Sequence, residues 1–265
     1  MQNFKDIKLF ATDLDGTLVK EGVFELSDGD FELIRRLKEN GVLFAVSTGR
    51  PYGNTRRMFA PVADDIMFIC DNGNNVIWQG RNIFLNAMDQ AVSFEMADFV
   101  QALPAEYENV MCTAENYVLM PKRDEDVLAI LRDWNMSVRI VEDKEKVVDL
   151  ILKHTIYKNG GFSPEFITEM EQRWGGKVKH INQSCPEWLD FQDGDKGMGL
   201  KNAAECLGID LQNVAAFGDN TNDIEMLDIA GFSFAMSHAP DAVKAHAKYE
   251  CSDVRDIMRE ILALN

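Results

Sequence analysis

The sequence predicts an α/β protein: a doubly wound, parallel-sheet core of the Rossmann-like kind, split by an inserted α+β module. Three observations carry this. Residues 7–70 alternate short apolar runs with helical periodicity in the order β-α-β-α-β, which implies a parallel sheet with helices on both faces. The alternation resumes after residue 196. Between the two stretches, hairpin signals mix with helices, the pattern of an α+β unit.

The elements follow in order. Ile7 to Thr12 is an apolar run and reads as a strand. Ser27 is placed as an N-cap, and Phe31, Ile34 and Leu37 repeat at helical spacing until Asn40-Gly41 ends the helix. Val42 to Val46 reads as a buried strand, Tyr52 to Phe59 as a helix and Ile66 to Cys70 as a third strand. Val76 to Leu85 predicts a hairpin turning at Gln79-Gly80. Met88 to Leu103 is helical, Asn109 to Met120 a second hairpin, Asp124 to Trp134 a helix and Lys146 to Tyr157 strand-rich. Ser163-Pro164 opens a helix that closes at Trp174-Gly175-Gly176, and Lys177 to Asn182 and Trp188 to Phe191 are strands. The core returns with a helix from Gly197 to Leu207 and a strand from Val214 to Phe217. A helix carrying Ile224, Met226, Leu227 and Ile229, a strand from Phe232 to Met236 and a helix from Val254 to Leu264 complete it. The core is thus expected to span residues 1–82 and 189–265, and the insert 83–188.

Bulk properties bound the function. With 46% hydrophobic residues in 265, the chain can bury a real core. Its 27 basic and 44 acidic residues leave a net charge of −17. That field repels nucleic acid and anionic lipid, and a phosphorylated small molecule needs a local cation to overcome it. The opening MQNFKDIKLF has no apolar stretch of signal-peptide length, and no window reaches a membrane span. Five scattered cysteines without a C-x-x-C pair fit a reduced, cytoplasmic protein. The four histidines lack metal spacing, His238 and His246 lying eight apart.

Polar residues cluster where predicted parallel strands end: Asp13 to Thr17, Ser47 to Arg50, and Gly218 to Asp223. Ligands of open parallel sheets sit beyond those carboxyl ends. Asp13, Asp15, Asp219 and Asp223 are therefore expected in one crevice. Four acids together are untenable without a divalent cation, and an oxygen-only donor set selects Mg²⁺.

These residues form a recognisable series. Asp13-Leu14-Asp15-Gly16-Thr17-Leu18 after a strand, Thr48-Gly49-Arg50 after the second, a later Lys196, and Gly218-Asp219-Asn220-Thr221-Asn222-Asp223 resemble the haloacid dehalogenase superfamily. The insert after the third strand resembles that of the Cof-like phosphatases, which carry a large α/β cap. The resemblance implies a Mg²⁺-dependent phosphatase acting on small phosphorylated metabolites, sugar phosphates above all. It implies Asp13 as the nucleophile that forms an aspartyl-phosphate. Asp15 is the implied general acid and base, with its backbone carbonyl on the metal. Thr48 and Gly49 match the phosphate-binding hydroxyl and its neighbouring N–H, Lys196 the lysine that neutralises the phosphoryl group, and Asn222 the phosphate-contacting asparagine. Asp219 matches the metal ligand, Asn220 is a further candidate through its side-chain oxygen, and Asp223 is expected to orient the metal's waters or Lys196. Arg50 reads as structural, and Asn72-Gly73 as the junction into the cap.

The pattern departs from the family in one loop: a common Met-Gly-Asn-Ala stretch is here Met236-Ser237-His238-Ala239. The acids flanking Lys196, Asp193 and Asp195, are also unusual. Two other readings remain open at this stage: a sugar phosphomutase using the same intermediate, and a non-catalytic phosphoacceptor module, against which Asp15 argues. Oligomeric state is not legible.

Overall fold

The computed structural model describes residues 4–20, 23, 25–114, 117–120, 126–133 and 136–264. It divides into two compact units: residues up to Phe84 together with those from Asp195, and Leu85–Gly194.

The first unit opens with β1 (Leu9–Thr12), α1 (Asp28–Glu39), β2 (Leu43–Ser47), α2 (Tyr52–Met58), β3 (Met67–Cys70), β4 (Asn75–Trp78) and β5 (Arg81–Leu85). The second unit contributes α3 (Gln90–Ala102), β6 (Tyr107–Thr113), β7 (Tyr117–Met120), α4 (Asp126–Asp133) and β8 (Val138–Ile140). It continues with β9 (Ile151–Lys158), α5 (Pro164–Trp174), β10 (His180–Cys185) and β11 (Trp188–Gln192). The first unit resumes with α6 (Lys196–Leu207), β12 (Val214–Gly218), α7 (Ile224–Ile229) and β13 (Phe232–Met236). It ends with α8 (Asp241–Lys244), β14 (Tyr249–Cys251) and α9 (Val254–Leu264).

Among the described residues the first unit forms an eight-stranded sheet ordered β14-β13-β12-β1-β2-β3-β4-β5. It is parallel from β14 to β3, and β4 runs antiparallel to β3. The central strands β1 and β12 are buried along their whole length, as a sheet covered on both faces requires. The chain winds outward from β1 through β2 and β3 on one side, and from β12 through β13 and β14 on the other. The β1–β12 seam is therefore the topological switch point, and Thr12 is level with Phe217 across it.

Local chemistry explains the boundaries. Ser27 and Asp30 form a reciprocal capping box at the start of α1. Asp30 also accepts from Arg255 Nε at 2.6 Å, tying α9 to that helix end. The β4–β5 hairpin turns at Gln79 (φ 50°) and Gly80 (φ 72°), the left-handed pair that suits the twist of the two strands.

The second unit carries a six-stranded sheet, again among the described residues, ordered β10-β11-β9-β6-β7-β8. Its pairings are antiparallel except β7–β8. The expected helix over Asp124 to Trp134 is seen as Asp126–Asp133, its remaining positions lying outside the described residues. Three differences from the sequence reading have local causes. Residues 177 and 178 close α5 by donating to Trp174 O at 2.7 and 3.0 Å, so β10 begins at His180. Lys144–Lys146 forms a single 3₁₀ turn, and the strand expected from Lys146 starts at Ile151. The chain returns to the first unit at Asp195, later than the expected 189, because β11 is hydrogen-bonded between β9 and β10. The short elements β8, α8 and β14 lack a periodic signal and were not anticipated.

His154 on β9 is fully buried, with Nδ1 3.0 Å from Ser93 Oγ on α3. Burial pushes its imidazole down to about 3. The folded state thus holds a neutral ring, while the unfolded chain protonates it below about pH 6.5. This contribution to stability is whole above that pH and shrinks as the pH falls toward 3, by roughly 2 kcal/mol at pH 5. Urea unfolding at pH 7.5 and pH 5 should therefore show a smaller pH-dependent loss for His154→Gln than for the wild type. An equal loss refutes the assignment.

Candidate active site

Asp13 leaves β1 at the switch point, its N–H donating to Phe217 O of β12 at 2.9 Å. Asp219 follows β12 directly, and a 3₁₀ turn over Thr221–Asp223 brings Asp223 back beneath it. Carboxylate oxygens of Asp13, Asp219 and Asp223 all lie within 4.8 Å of one another. Residues 206 positions apart in sequence are gathered because parallel pairing of β1 and β12 aligns their carboxyl ends.

Lys196, the first residue of α6, is 1% exposed and bridges two of these acids. Its Nζ donates to Asp13 Oδ1 and to Asp223 Oδ1, each at 2.6 Å. The other oxygen of Asp223 accepts the N–H groups of Asp219 (2.9 Å) and Asn220 (3.0 Å). Asp223 thus has both oxygens engaged, and it fixes the lysine and the turn together. The acids flanking Lys196 point elsewhere: Asp195 caps α6 by accepting from Met198 N at 2.7 Å, and Asp193 accepts from Lys179 N at 3.0 Å.

Asp219 is held by Thr17, whose Oγ1 donates to Oδ1 at 2.7 Å. His238 Nε2 stands 3.6 Å from its other oxygen, so the departing Ser237-His238 loop places an imidazole beside this acid. Gly16 permits the approach: it sits at φ +86°, and a Cβ there would lie 2.4 Å from Asp219 Oδ2.

The electrostatics follow from three acids facing one cation in a buried place. Burial pushes the Asp13 carboxyl upward, and Asp223 and Asp219 add to the push while Lys196 opposes it. Burial works against charge on Lys196, but Asp13 and Asp223 outweigh it and hold the ammonium protonated. Burial also raises Asp219, against the Thr17 hydrogen bond. Two buried carboxylates and the half-buried Asp219 with one ammonium leave an excess of negative charge, and the all-oxygen donor set suits a hard divalent cation. Mg²⁺ fits this constellation.

The phosphate-binding candidates adjoin one another. Thr48, 1% exposed, accepts from Arg50 N through Oγ1 at 3.1 Å, and its carbonyl accepts from Asn72 N at 3.0 Å. Gly49 abuts Asn72: a Cβ on it would lie 3.0 Å from Asn72 Oδ1. The same oxygen accepts from Asn222 Nδ2 at 3.1 Å, so Asn72 links the loop after β2 to the turn after β12.

Two expected residues have side chains engaged by other partners. Asn220 Oδ1 accepts from Thr221 N at 2.7 Å and serves as the turn's cap. Asp15 is engaged by Arg50, whose Nε donates to Oδ2 at 2.8 Å and whose Nη2 pairs with Oδ1. Sequence reasoning therefore missed four side chains. Thr17 lies inside the first motif and Arg50 beside Thr48-Gly49, so position in a motif was an available signal for both. His238 was visible only as a departure from pattern. Asn72 was read only as part of the junction into the cap.

A family model described as haloacid dehalogenase-like hydrolase matches residues 10–257. The chain belongs to the haloacid dehalogenase superfamily. Within it the chain groups with the Cof-like phosphatases and is a phosphoric monoester hydrolase. The 5-amino-6-(5-phospho-D-ribitylamino)uracil phosphatase YbjI of Escherichia coli (strain K12) is 26% identical over 262 residues, covering 97% of this chain and 96% of that protein. Pyridoxal phosphate phosphatase YbhA of the same organism is 26% identical over 259 residues, covering 93% of each. A solved structure from Eubacterium rectale superposes with a TM-score of 0.87 at 27% identity, covering 98% of this chain and 100% of that one. The subclass IIB sugar phosphatase BT4131 shares the fold at a TM-score of 0.75 and 22% identity, covering 97% and 98%. Membership in this hydrolase superfamily removes the non-catalytic phosphoacceptor reading. No helix among the described residues is long and apolar enough to cross a membrane.

Proposed function

We propose that this haloacid dehalogenase-type enzyme is a Mg²⁺-dependent phosphatase that hydrolyses small phosphorylated metabolites through an aspartyl-phosphate on Asp13. The observation that carries the reading is the cluster of Asp13, Asp219 and Asp223 around the buried Lys196 ammonium. Lys196 holds one oxygen of Asp13 and leaves the other for in-line attack on phosphorus. The same ammonium offsets charge on the transferring group in an otherwise acidic chain. Asp15 protonates the leaving oxygen and then takes a proton from the water that opens the aspartyl-phosphate. Thr48, Gly49 and Asn222 bind the phosphoryl oxygens. Asp13, Asp219 and the Asp15 carbonyl would hold the metal, with Asp223 and Thr17 orienting the set; Asn220 contributes through the turn it caps. When bound there, Mg²⁺ supplies charge neutralisation for the phosphoryl group.

Sugar phosphates are the favoured substrate class. The relatives named for 5-amino-6-(5-phospho-D-ribitylamino)uracil and pyridoxal phosphate, and the sugar phosphatase of the same fold, support small phosphorylated molecules in general. The inserted unit is assigned the part of the cap that selects the leaving group, and a cytoplasmic location matches such substrates.

A panel of phosphorylated metabolites, scored by phosphate release, tests the proposal. Release should fall at least about a hundredfold in EDTA and return when excess Mg²⁺ is added. Turnover that is indifferent to chelation, or absent across the panel, overturns it.

A further inference from the structure

We propose that Arg50 is the positioning residue of the general acid–base, an inference that rests on the role given above to Asp15. The guanidinium takes Asp15 in a fork: Nε donates to Oδ2 at 2.8 Å and Nη2 pairs with Oδ1. Nη2 also donates to Val23 O at 3.1 Å, and Nη1 lies 4.0 Å from Met58 Sδ on α2. The backbone beneath is equally fixed. Arg50 N donates to Thr48 Oγ1 at 3.1 Å, and Arg50 O accepts from Asp71 N at 3.1 Å. One rigid turn after β2 therefore presents the phosphate-binding hydroxyl and, two residues on, the group that sets the acid.

This matters because the Asp15 side chain is the more open of the pair, 33% exposed against 14% for Arg50. It lies outside the carboxylate cluster, with neither Lys196 nor a metal ligand to orient it. A planar, two-point fork restrains both its position and its plane, which a single ammonium contact does not. Reacting groups displaced by about 1 Å lose on the order of a hundredfold in rate.

The step served is the first transfer. An Asp13 oxygen forms a bond to phosphorus as the bond from phosphorus to the leaving oxygen breaks. That oxygen takes the released electron pair and receives the proton from one Asp15 oxygen. The other Asp15 oxygen stays on the guanidinium, so the proton is aimed by the contact that remains. In the second step water attacks phosphorus and yields its proton to Asp15, and the Asp13–phosphorus bond breaks to release phosphate.

Leaving-group dependence separates this role from phosphate binding or general support. The parameter kcat/KM reports only events up to the first transfer, so Asp15's later work as a base does not enter it. A poor alkoxide leaving group needs the acid, whereas 4-nitrophenolate leaves without it. Wild type, Arg50→Ala, Arg50→Lys and Asp15→Asn are compared on 4-nitrophenyl phosphate, phenyl phosphate, glycerol 1-phosphate and ribose 5-phosphate at saturating Mg²⁺, with melting temperatures measured in parallel.

Arg50→Ala should lose about 30- to 100-fold on the alkyl esters and less than about threefold on the 4-nitrophenyl ester. Arg50→Lys should recover part of the alkyl loss, and serves as the folded variant if the alanine protein melts early. Asp15→Asn should show the same slope against leaving-group acidity. A uniform loss across esters in both Arg50 variants, or none, overturns the positioning role. An Asp15→Asn protein without leaving-group dependence instead overturns the acid role on which it rests.

Discussion

Asp13→Asn should lower phosphate release at least about a thousandfold while the protein melts no lower than the wild type. The amide keeps the shape and can still accept from Lys196, but it has no anionic oxygen to attack phosphorus. Stability should move the other way. Burial and the neighbouring Asp223 and Asp219 raise the Asp13 carboxyl above its unfolded range. A carboxyl raised on folding costs stability once the pH exceeds its unfolded value, because the unfolded chain then ionises it more readily. A neutral amide removes that cost, so at pH 7 in metal-free buffer the variant should gain about 1 kcal/mol, or ~2–4 °C in melting temperature. The gain should shrink as the pH falls through the unfolded carboxyl's range and vanish below about pH 3, where Asp13 of the wild type is protonated in both states. Retained turnover, or a fall in melting temperature with the fold otherwise intact, contradicts this account of the site.

Lys196→Met should damage both properties. The ammonium is 1% exposed and is the shared partner of Asp13 and Asp223. Methionine fills much of the volume yet leaves two buried carboxylates facing each other without a cation. Removing one partner of a buried ionic cluster costs about 3–5 kcal/mol. Catalysis should fall by at least two orders of magnitude, since the charge on the transferring phosphoryl group loses its counter-ion. The urea midpoint at pH 7.5 measures the first effect, and phosphate release at saturating Mg²⁺ the second. A double variant, Asp13→Asn with Lys196→Met, should recover part of the lost stability and none of the activity. Stability losses that simply add would show that the two side chains are not coupled.

The ingredients of this site were legible because each one punctuates a strand. Asp13 and Asp219 stand at the ends of β1 and β12, whose apolar runs are long enough to read directly. The N-cap at Ser27, the hairpin at Gln79-Gly80 and the helix beginning at Ser163 were legible for a similar reason: each is set by residues within three or four positions. Elements such as β8 and β14 were not, because three residues carry no period and their strand character comes from neighbours. The return of the chain at Asp195 was misplaced for the same reason. The Trp188–Gln192 run is apolar enough for either sheet, and only its pairing with β9 and β10 assigns it.

What the amino-acid order determined by itself is the chemistry on offer: an oxygen-only set of acids, one lysine among them in chain order, and a strand–helix alternation that sends their backbones to one edge of a sheet. What only the tertiary structure decided is which atom faces which. Arg50 takes Asp15, Asp223 spends both oxygens on Lys196 and the turn, Asn220 caps that turn, and His238 comes beside Asp219. Periodicity and spacing place Cα atoms along a chain. The direction of a charged side chain is chosen by partners tens to hundreds of residues away, whose distance is set when β1 and β12 align in register.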